Sequence, residues 1–236
     1  MKKVLRGALA AGSLFAAAST ALAMPVINEV VGSTTGSDAE FIELYGVAGT
    51  SLNDLSLIVV ESNNGLNLGK IDFRLDLIGQ VIGTNNFFLA ATSLAAAVYG
   101  VTPNVYLGSN AIENSSYTIA LVQTASISGT TVSGSEVVLD ALGIADTSAS
   151  TFFFGAPVIG PDGSFLPAGG RRVSDGVDTD TAQDWVISDF NNGLANTPTP
   201  GTVSSVPEPG TIALLGVGLA TLALSRRNRH RPSTPQ

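Results

Sequence analysis

Cysteine is absent from this chain, and its only histidine is His230, close to the C-terminus. Without cysteine the fold has no disulfides, no thiolate metal ligands and no cysteine nucleophile. Because residues 24–209 also lack histidine, that part of the chain has no Ser-His-Asp triad, no histidine-ligated zinc site and no imidazole acid-base catalysis. Carboxylates are the remaining groups for catalysis or metal binding.

Positive charge is scarce in the middle of the chain. Residues 24–209 contain four basic residues and all 19 acidic residues, so their net charge is 4 − 19 = −15. The four are Lys70, Arg74, Arg171 and Arg172. A domain this acidic repels phosphate backbones, and we predict no nucleic-acid partner.

Residues 1–23 have the pattern of a secretory signal peptide. A positively charged start (residues 2–6) precedes an apolar run (residues 7–18), and Ala21 and Ala23 form a small-residue cleavage site. The pattern predicts export and cleavage by signal peptidase after Ala23. The alternative is an uncleaved N-terminal anchor.

The other end of the chain combines a short rigid motif, an uncharged apolar segment and a basic tail. The motif is Val206, Pro207, Glu208 and Pro209, the apolar segment is 210–225 and the tail is 226–236, beginning with Arg226 and Arg227. A helix over residues 210–225 would be about 24 Å long, short of the ~30 Å hydrocarbon core. We predict a weak transmembrane helix with a cytoplasmic basic tail, since positive charges stay inside. A plain tail anchor is the alternative.

These C-terminal features, in this order, resemble the PEP-CTERM sorting signal. The resemblance implies cleavage near Pro207–Pro209 by an exosortase, an integral membrane protease of bacteria that make extracellular polysaccharide. Residues 202–209 would be the linker to the membrane helix. The protein would be anchored transiently among inner-membrane lipids and then reach the cell surface or the extracellular space.

Between the ends, residues 24–201 show short β-type runs separated by turn residues, without a long helical stripe. We predict an all-β domain, a sandwich rather than a parallel α/β core. The predicted strands are 26–31, 40–45, 55–60, 87–90, 117–122 and 136–140, with one short helix at 93–99 and a further β-type run at 185–187.

Both ends of this domain resemble the lamin tail domain, an immunoglobulin-like β-sandwich. Residues 25–30 match its opening strand, residues 40–45 match its E-[WF]-[IV]-E-L-Y strand, and residues 171–185 match its bacterial closing segment. Residues 199–201 are similar to its exit. The resemblance implies a single sandwich over residues 24–201. Residues 123–170, which are rich in Ser and Thr, depart from the pattern and look like an insertion.

The densest group of acidic residues is Asp175, Asp178, Asp180 and Asp184. Their oxygens, in a glycine-containing loop, are candidate ligands for Ca²⁺. The alternative is that the aspartates make Asx-type turns and cap backbone N–H groups, with Arg171 or Arg172 pairing one of them.

Three other sets of residues have both a functional and a structural interpretation. A regular strand over residues 40–45 places Glu40 and Glu43 on opposite faces, which makes them a poor glycosidase pair. For Trp185 we favour core packing over a sugar-stacking platform. For Phe152–Phe154 we favour a core strand under a loop over an exposed adhesive patch.

No catalytic residue and no organic cofactor is assigned from the sequence. The leading interpretation is a non-enzymatic exported surface or extracellular-matrix protein that acts by binding or scaffolding. The first alternative is a calcium-dependent module that binds extracellular polysaccharide through the Asp175–Asp184 loop. A carboxylate-based glycosidase is the least favoured.

Overall fold

The computed structural model describes residues 24–32, 38–112, 114–146, 149–189 and 197–202. Within these ranges the chain forms eleven strands and one α-helix. The strands are β1 (Val26–Val31), β2 (Phe41–Tyr45), β3 (Leu55–Glu61), β4 (Ile71–Asp76), β5 (Phe87–Thr92), β6 (Val105–Leu107), β7 (Tyr117–Gln123), β8 (Val138–Ile144), β9 (Val158–Ile159), β10 (Gly169–Arg172) and β11 (Trp185–Ser188), and the helix is α1 (Ser93–Tyr99).

The strands form two sheets. Sheet A has the order β11-β10-β1-β2-β5-β6, and sheet B has the order β4-β3-β7-β8-β9. Neighbouring strands are antiparallel except for the pairs β5–β6 and β8–β9, which are parallel. The main core contains side chains from both sheets, among them Ile42 and Phe88 from sheet A and Leu57 and Leu121 from sheet B. The predicted all-β architecture of two packed sheets is confirmed.

Both sheets are covered on their outer faces as well. Over sheet B lie side chains from two loops, at residues 127–132 and 153–156, including Phe153 and Phe154, which pack on a cluster that contains Ile58 and Val60. Over sheet A, a smaller cluster brings Ala95 of α1 against Phe41 of β2. This double covering explains why β2, which alternates in sequence, is buried from Phe41 to Leu44.

The six predicted strands and the short helix are all present. Thr92 caps α1 by accepting a hydrogen bond from the Ala95 amide, and the helix ends at Gly100, whose φ is +66°. Four further strands, β4, β6, β9 and β10, were not predicted. In β10 a Cβ on Gly169 would lie 1.8 Å from the Val30 carbonyl oxygen, so this strand depends on a backbone approach that only glycine allows.

The interpretation of Phe152–Phe154 as a core strand is wrong. These residues form a half-buried loop that lies over sheet B, and Phe154 has a φ of +63°. Bend and turn geometry lets two neighbouring phenylalanines pack on the same cluster, which a regular strand would prevent.

No helix in the described part of the chain is long and apolar enough to cross a membrane. The predicted signal peptide (1–23) and membrane helix (210–225) lie outside the described residues, as does the motif at 206–209. The signal peptide and the membrane helix stay predictions from the sequence.

Candidate functional site

A bulge in β1 creates an unusual polar site on the outer face of sheet A. The register between β1 and β2 shifts between Ile27 and Glu29, and Glu29 lies opposite Glu43 of β2. The extra residue, Asn28, donates from Nδ2 to Glu43 Oε1 at 3.0 Å. The bulge therefore places Asn28 and Glu29 together beside Glu43. We call Glu29 and Glu43 the glutamate pair; they are 2% and 0% exposed.

The glutamate pair binds residues 197–202, which we call the exit segment. The Thr199 amide donates to both carboxylate oxygens of Glu29, at 3.0 and 3.2 Å. The Gly201 amide donates to Glu43 Oε2. The intervening residue, Pro200, has no N–H to satisfy and is buried, as is Pro198. In this alternating Thr-Pro-Thr-Pro-Gly sequence, the amide donors at 199 and 201 meet the carboxylates and the prolines are removed from solvent.

Asn28 connects the glutamate pair to the closing segment of the domain. Its Nδ2 also donates to Asp175 Oδ1 at 3.0 Å, and its Oδ1 accepts from the Gly176 amide at 3.2 Å. Gly176 has a φ of +68°, and a Cβ there would lie 2.4 Å from the ring of Tyr45. Glycine is therefore required for this loop to lie flat on β2.

Burial changes the protonation of the glutamate pair. Loss of hydration raises the pKa of Glu29 to about 7, against the opposing effect of the hydrogen bond from Thr199. Burial raises the pKa of Glu43 to about 8, although the hydrogen bonds from Asn28 and Gly201 favour the ionised form. The glutamate pair therefore gains negative charge as the pH rises from mildly acidic to mildly basic values.

A second buried polar cluster, the arginine cluster, surrounds Arg172 of β10, which is fully buried. Its guanidinium donates from Nη2 to Asp140 Oδ2 at 2.8 Å and from Nε to the Ile27 carbonyl at 2.7 Å. Asp140 also accepts from the Ile27 amide at 2.7 Å. Because Asp140 belongs to β8, the ion pair joins sheet B to sheet A. Burial raises the pKa of Asp140 to about 6, and Arg172 opposes that shift.

The acidic loop is held by contacts within the chain. Asp178 Oδ1 accepts from Arg172 Nη1 at 3.2 Å and from the Asp180 amide at 3.1 Å, an Asx-type turn. Asp184 Oδ2 accepts from the Thr179 amide at 2.7 Å. Partial burial disfavours the ionised form of Asp184, but the hydrogen bonds from Thr179 outweigh it and lower the pKa of this carboxyl. These contacts are the turn, cap and arginine-pairing roles predicted as the alternative to a metal site.

Within the described ranges no group of three or more acidic side chains is arranged to hold a metal ion. Asp175 is bound to Asn28, away from the hydrogen bonds of Asp178 and Asp184. Calcium binding at Asp175, Asp178, Asp180 and Asp184 stays a prediction, and the observed contacts give it no support.

Glu40 and Glu43 have separate partners, in line with their predicted placement on opposite faces of the strand. Glu40 Oε2 accepts from the Ala111 and Ile112 amides at 2.9 and 3.1 Å, and both of those residues belong to the main core. Trp185 is 5% exposed and its ring lies 4.5 Å from the Arg172 guanidinium carbon, a cation–π contact. The indole therefore packs in the core rather than forming an exposed platform.

Sequence reasoning singled out residues 25–30, 40–45, 171–185 and 199–201 separately, and the structure brings all four together around the glutamate pair. Sequence reasoning did not identify the site that these four segments form. The available signals were a carboxylate inside each of two largely apolar strands, at Glu29 and Glu43, and an alternating Pro-containing exit segment.

Comparison with known proteins identifies the C-terminal region. Residues 205–227 match the model of the PEP-CTERM protein-sorting motif. The chain carries a PEP-CTERM sorting signal. This match includes Val206–Pro209, Arg226 and Arg227, all outside the described residues. The signal implies export and sorting to the cell surface through an exosortase-type membrane protease.

No curated protein and no solved structure matches the chain. The resemblance of residues 24–201 to the lamin tail domain is not confirmed by these comparisons. It stays a prediction alongside the observed two-sheet fold.

Proposed function

We propose that this protein is a non-enzymatic component of the cell surface or extracellular matrix, released from the inner membrane by exosortase-type cleavage near Pro207–Pro209. The observation that carries the proposal is the PEP-CTERM motif at residues 205–227. The predicted signal peptide, residues 1–23, supplies the export step. The basic tail after residue 225 remains in the cytoplasm until cleavage separates it from the domain.

The proposal assigns the domain a binding or scaffolding role. Its buried carboxylates support the non-enzymatic assignment because each of them binds a group within the domain. Glu29 and Glu43 hold the exit segment, Glu40 holds residues 111–112, and Asp140 pairs with Arg172. A glycosidase requires two carboxyls facing a substrate across a groove. Hydrolysis of the host's extracellular polysaccharide by the purified protein would contradict the non-enzymatic assignment.

The sorting step is tested by replacing Pro207, Glu208 and Pro209 with alanine in the full-length protein, expressed in a bacterium that has the exosortase. We expect the variant to remain in the membrane fraction at full length, while the unchanged protein is processed and released. Cell fractionation and mass spectrometry of the released termini measure both outcomes.

A matched control replaces Pro232, Thr234 and Pro235 with alanine. These residues lie beyond the matched motif and include two prolines, so processing is expected to continue. Equal release of both variants would overturn the proposed sorting. Release of neither variant would show that the assay detects general damage to the C-terminus rather than loss of the motif.

A further inference from the structure

The exit segment lies between the folded domain and the sorting motif. Its last residue, Thr202, is five residues before Pro207. A fully extended chain spans at most ~3.6 Å per residue, so the processing motif lies within about 18 Å of Thr202. We call the chain between the last docked residue and Pro207 the tether. Docking of the exit segment therefore sets the length of this tether on the domain side of the cleavage site.

This tether is short compared with the domain. A domain of this length has a radius of gyration of about 16 Å, which corresponds to a body roughly 40 Å across. A protease must accept an extended peptide on both sides of the bond that it cuts. With the exit segment docked, the folded domain is held beside the cleavage site, because its width exceeds the length of the tether.

Undocking would lengthen the tether substantially. The anchoring contacts are the amides of Thr199 and Gly201 on the glutamate pair, together with the burial of Pro198 and Pro200. The exit segment pairs with no strand among the described residues, so its release breaks no sheet ladder. Once residues 197–202 are undocked, the 10 residues from Thr197 to Pro207 can reach up to about 36 Å.

We propose that docking of residues 197–202 on Glu29 and Glu43 restricts exosortase access to Pro207–Pro209, so that undocking of the exit segment limits the rate of release. The inference rests on the proposed sorting function. It adds a regulatory role for the domain, whose outer face controls when its own C-terminal signal is cut.

Two changes to the full-length protein test the inference in different ways. Thr199→Pro removes the amide that donates to Glu29, and thereby weakens docking. Insertion of about ten Gly and Ser residues between Thr202 and Val203 leaves the docking contacts intact and lengthens the tether. Thr130→Ala is the control, because Thr130 is exposed and its retained backbone carbonyl binds Ile71 of sheet B, away from the exit segment.

Cleavage is followed by pulse-chase labelling in cells that contain the exosortase. We expect both Thr199→Pro and the insertion to shorten the half-time of cleavage roughly tenfold, because a linker too short for the required geometry prevents engagement and a longer one removes the domain from the cleavage site. Thr130→Ala should be processed at the unchanged rate. Hydrogen exchange at the Gly201 amide, in the precursor purified in detergent, should rise for Thr199→Pro and remain unchanged for the insertion.

The outcomes separate the two proposals. No cleavage of the unchanged protein at the motif would overturn the proposed function itself. Normal cleavage of that protein with no acceleration by the insertion would overturn the inference alone. If Thr199→Pro proves misfolded, the insertion decides, because it changes no residue of the folded domain.

Discussion

The outer faces of the two sheets are covered in different ways. On sheet B the cover is apolar: Phe153 and Phe154 lie on Ile58 and Val60. On sheet A the closing segment, residues 173–184, and the exit segment, residues 197–202, are held by hydrogen bonds to buried polar side chains, chiefly those of the glutamate pair and Arg172. We call these the apolar cover and the polar cover.

The comparison shows two ways of retaining a peripheral segment. Apolar contacts are non-directional and depend little on pH, whereas hydrogen bonds to buried carboxylates require an amide at a given position and respond to ionisation. A segment that only protects a sheet suits the first kind of contact. A segment that leads to a processing signal suits the second, because it can be released without unfolding the core.

The largest effect is expected from breaking the arginine cluster, whose Arg172–Asp140 ion pair joins the two sheets. Arg172→Met leaves Asp140 buried without its cation, and we expect a loss of about 3–5 kcal/mol in the free energy of unfolding. Urea denaturation measures the loss. Arg74→Met is the control, since Arg74 and Asp76 form an exposed pair and the expected change is within about 1 kcal/mol. Equal losses for the two variants would contradict a structural role for the arginine cluster.

The second prediction concerns pH. The folded-state pKa values of Glu29 and Glu43, about 7 and 8, lie above the value near 4.5 expected in the unfolded chain. The unfolded state therefore binds fewer protons from about pH 4.5 to pH 8, and raising the pH through this window lowers stability. We expect Tm at pH 8 to be lower than at pH 5, by on the order of 5 °C. Differential scanning calorimetry measures this slope.

Glu43→Gln identifies the groups responsible for that slope. The amide cannot ionise, so the decline of Tm between pH 5 and pH 8 should become smaller. Glu136→Gln is the control because partial burial of Glu136 is outweighed by hydrogen bonds from residues 133–134, which lower its pKa and place its titration below this window. The same slope in the Glu43→Gln variant and the unchanged protein would show that the glutamate pair does not carry the pH response.

A smaller effect is expected on the apolar cover. Phe153→Ala removes a half-buried ring from the cluster over sheet B, and we expect a loss of about 1–2 kcal/mol, less than for a fully buried phenylalanine. Phe165→Ala, at a position 75% exposed, should change stability by no more than about 0.5 kcal/mol. Urea denaturation at pH 5 and pH 8 should give the same loss for Phe153→Ala. A loss that depends strongly on pH would remove the distinction between the two covers.

The smallest effect is expected from calcium. The acidic loop within the polar cover is held by Arg172, Thr179 and backbone amides, so millimolar CaCl₂ or EDTA should shift Tm by less than about 1 °C. MgCl₂ controls for ionic strength. Micromolar affinity would instead add about 4 kcal/mol at millimolar Ca²⁺ and raise Tm by roughly 10 °C, which would revive the calcium-dependent binding interpretation.

Several properties of the protein were determined by local sequence. Alternating or continuous apolar runs identified six strands. Thr92 and Gly100 cap the two ends of helix α1, which was predicted at this position. The Pro-Glu-Pro motif, apolar segment and arginines identified the sorting signal, which the family match at residues 205–227 confirms. Such features are readable because their physical determinants lie within a few residues of one another.

Tertiary structure alone decided how the polar residues are used. Glu29 meets Thr199 across 170 positions and Ile27 meets Asp140 across 113, distances over which no sequence period extends. The bulge at Asn28 and the close approach of Gly169 to Val30 likewise depend on neighbouring strands. A carboxylate in an apolar strand can be solvated, paired or buried against an amide, and only the packing of both sheets with the exit segment selects the last of these for Glu29 and Glu43.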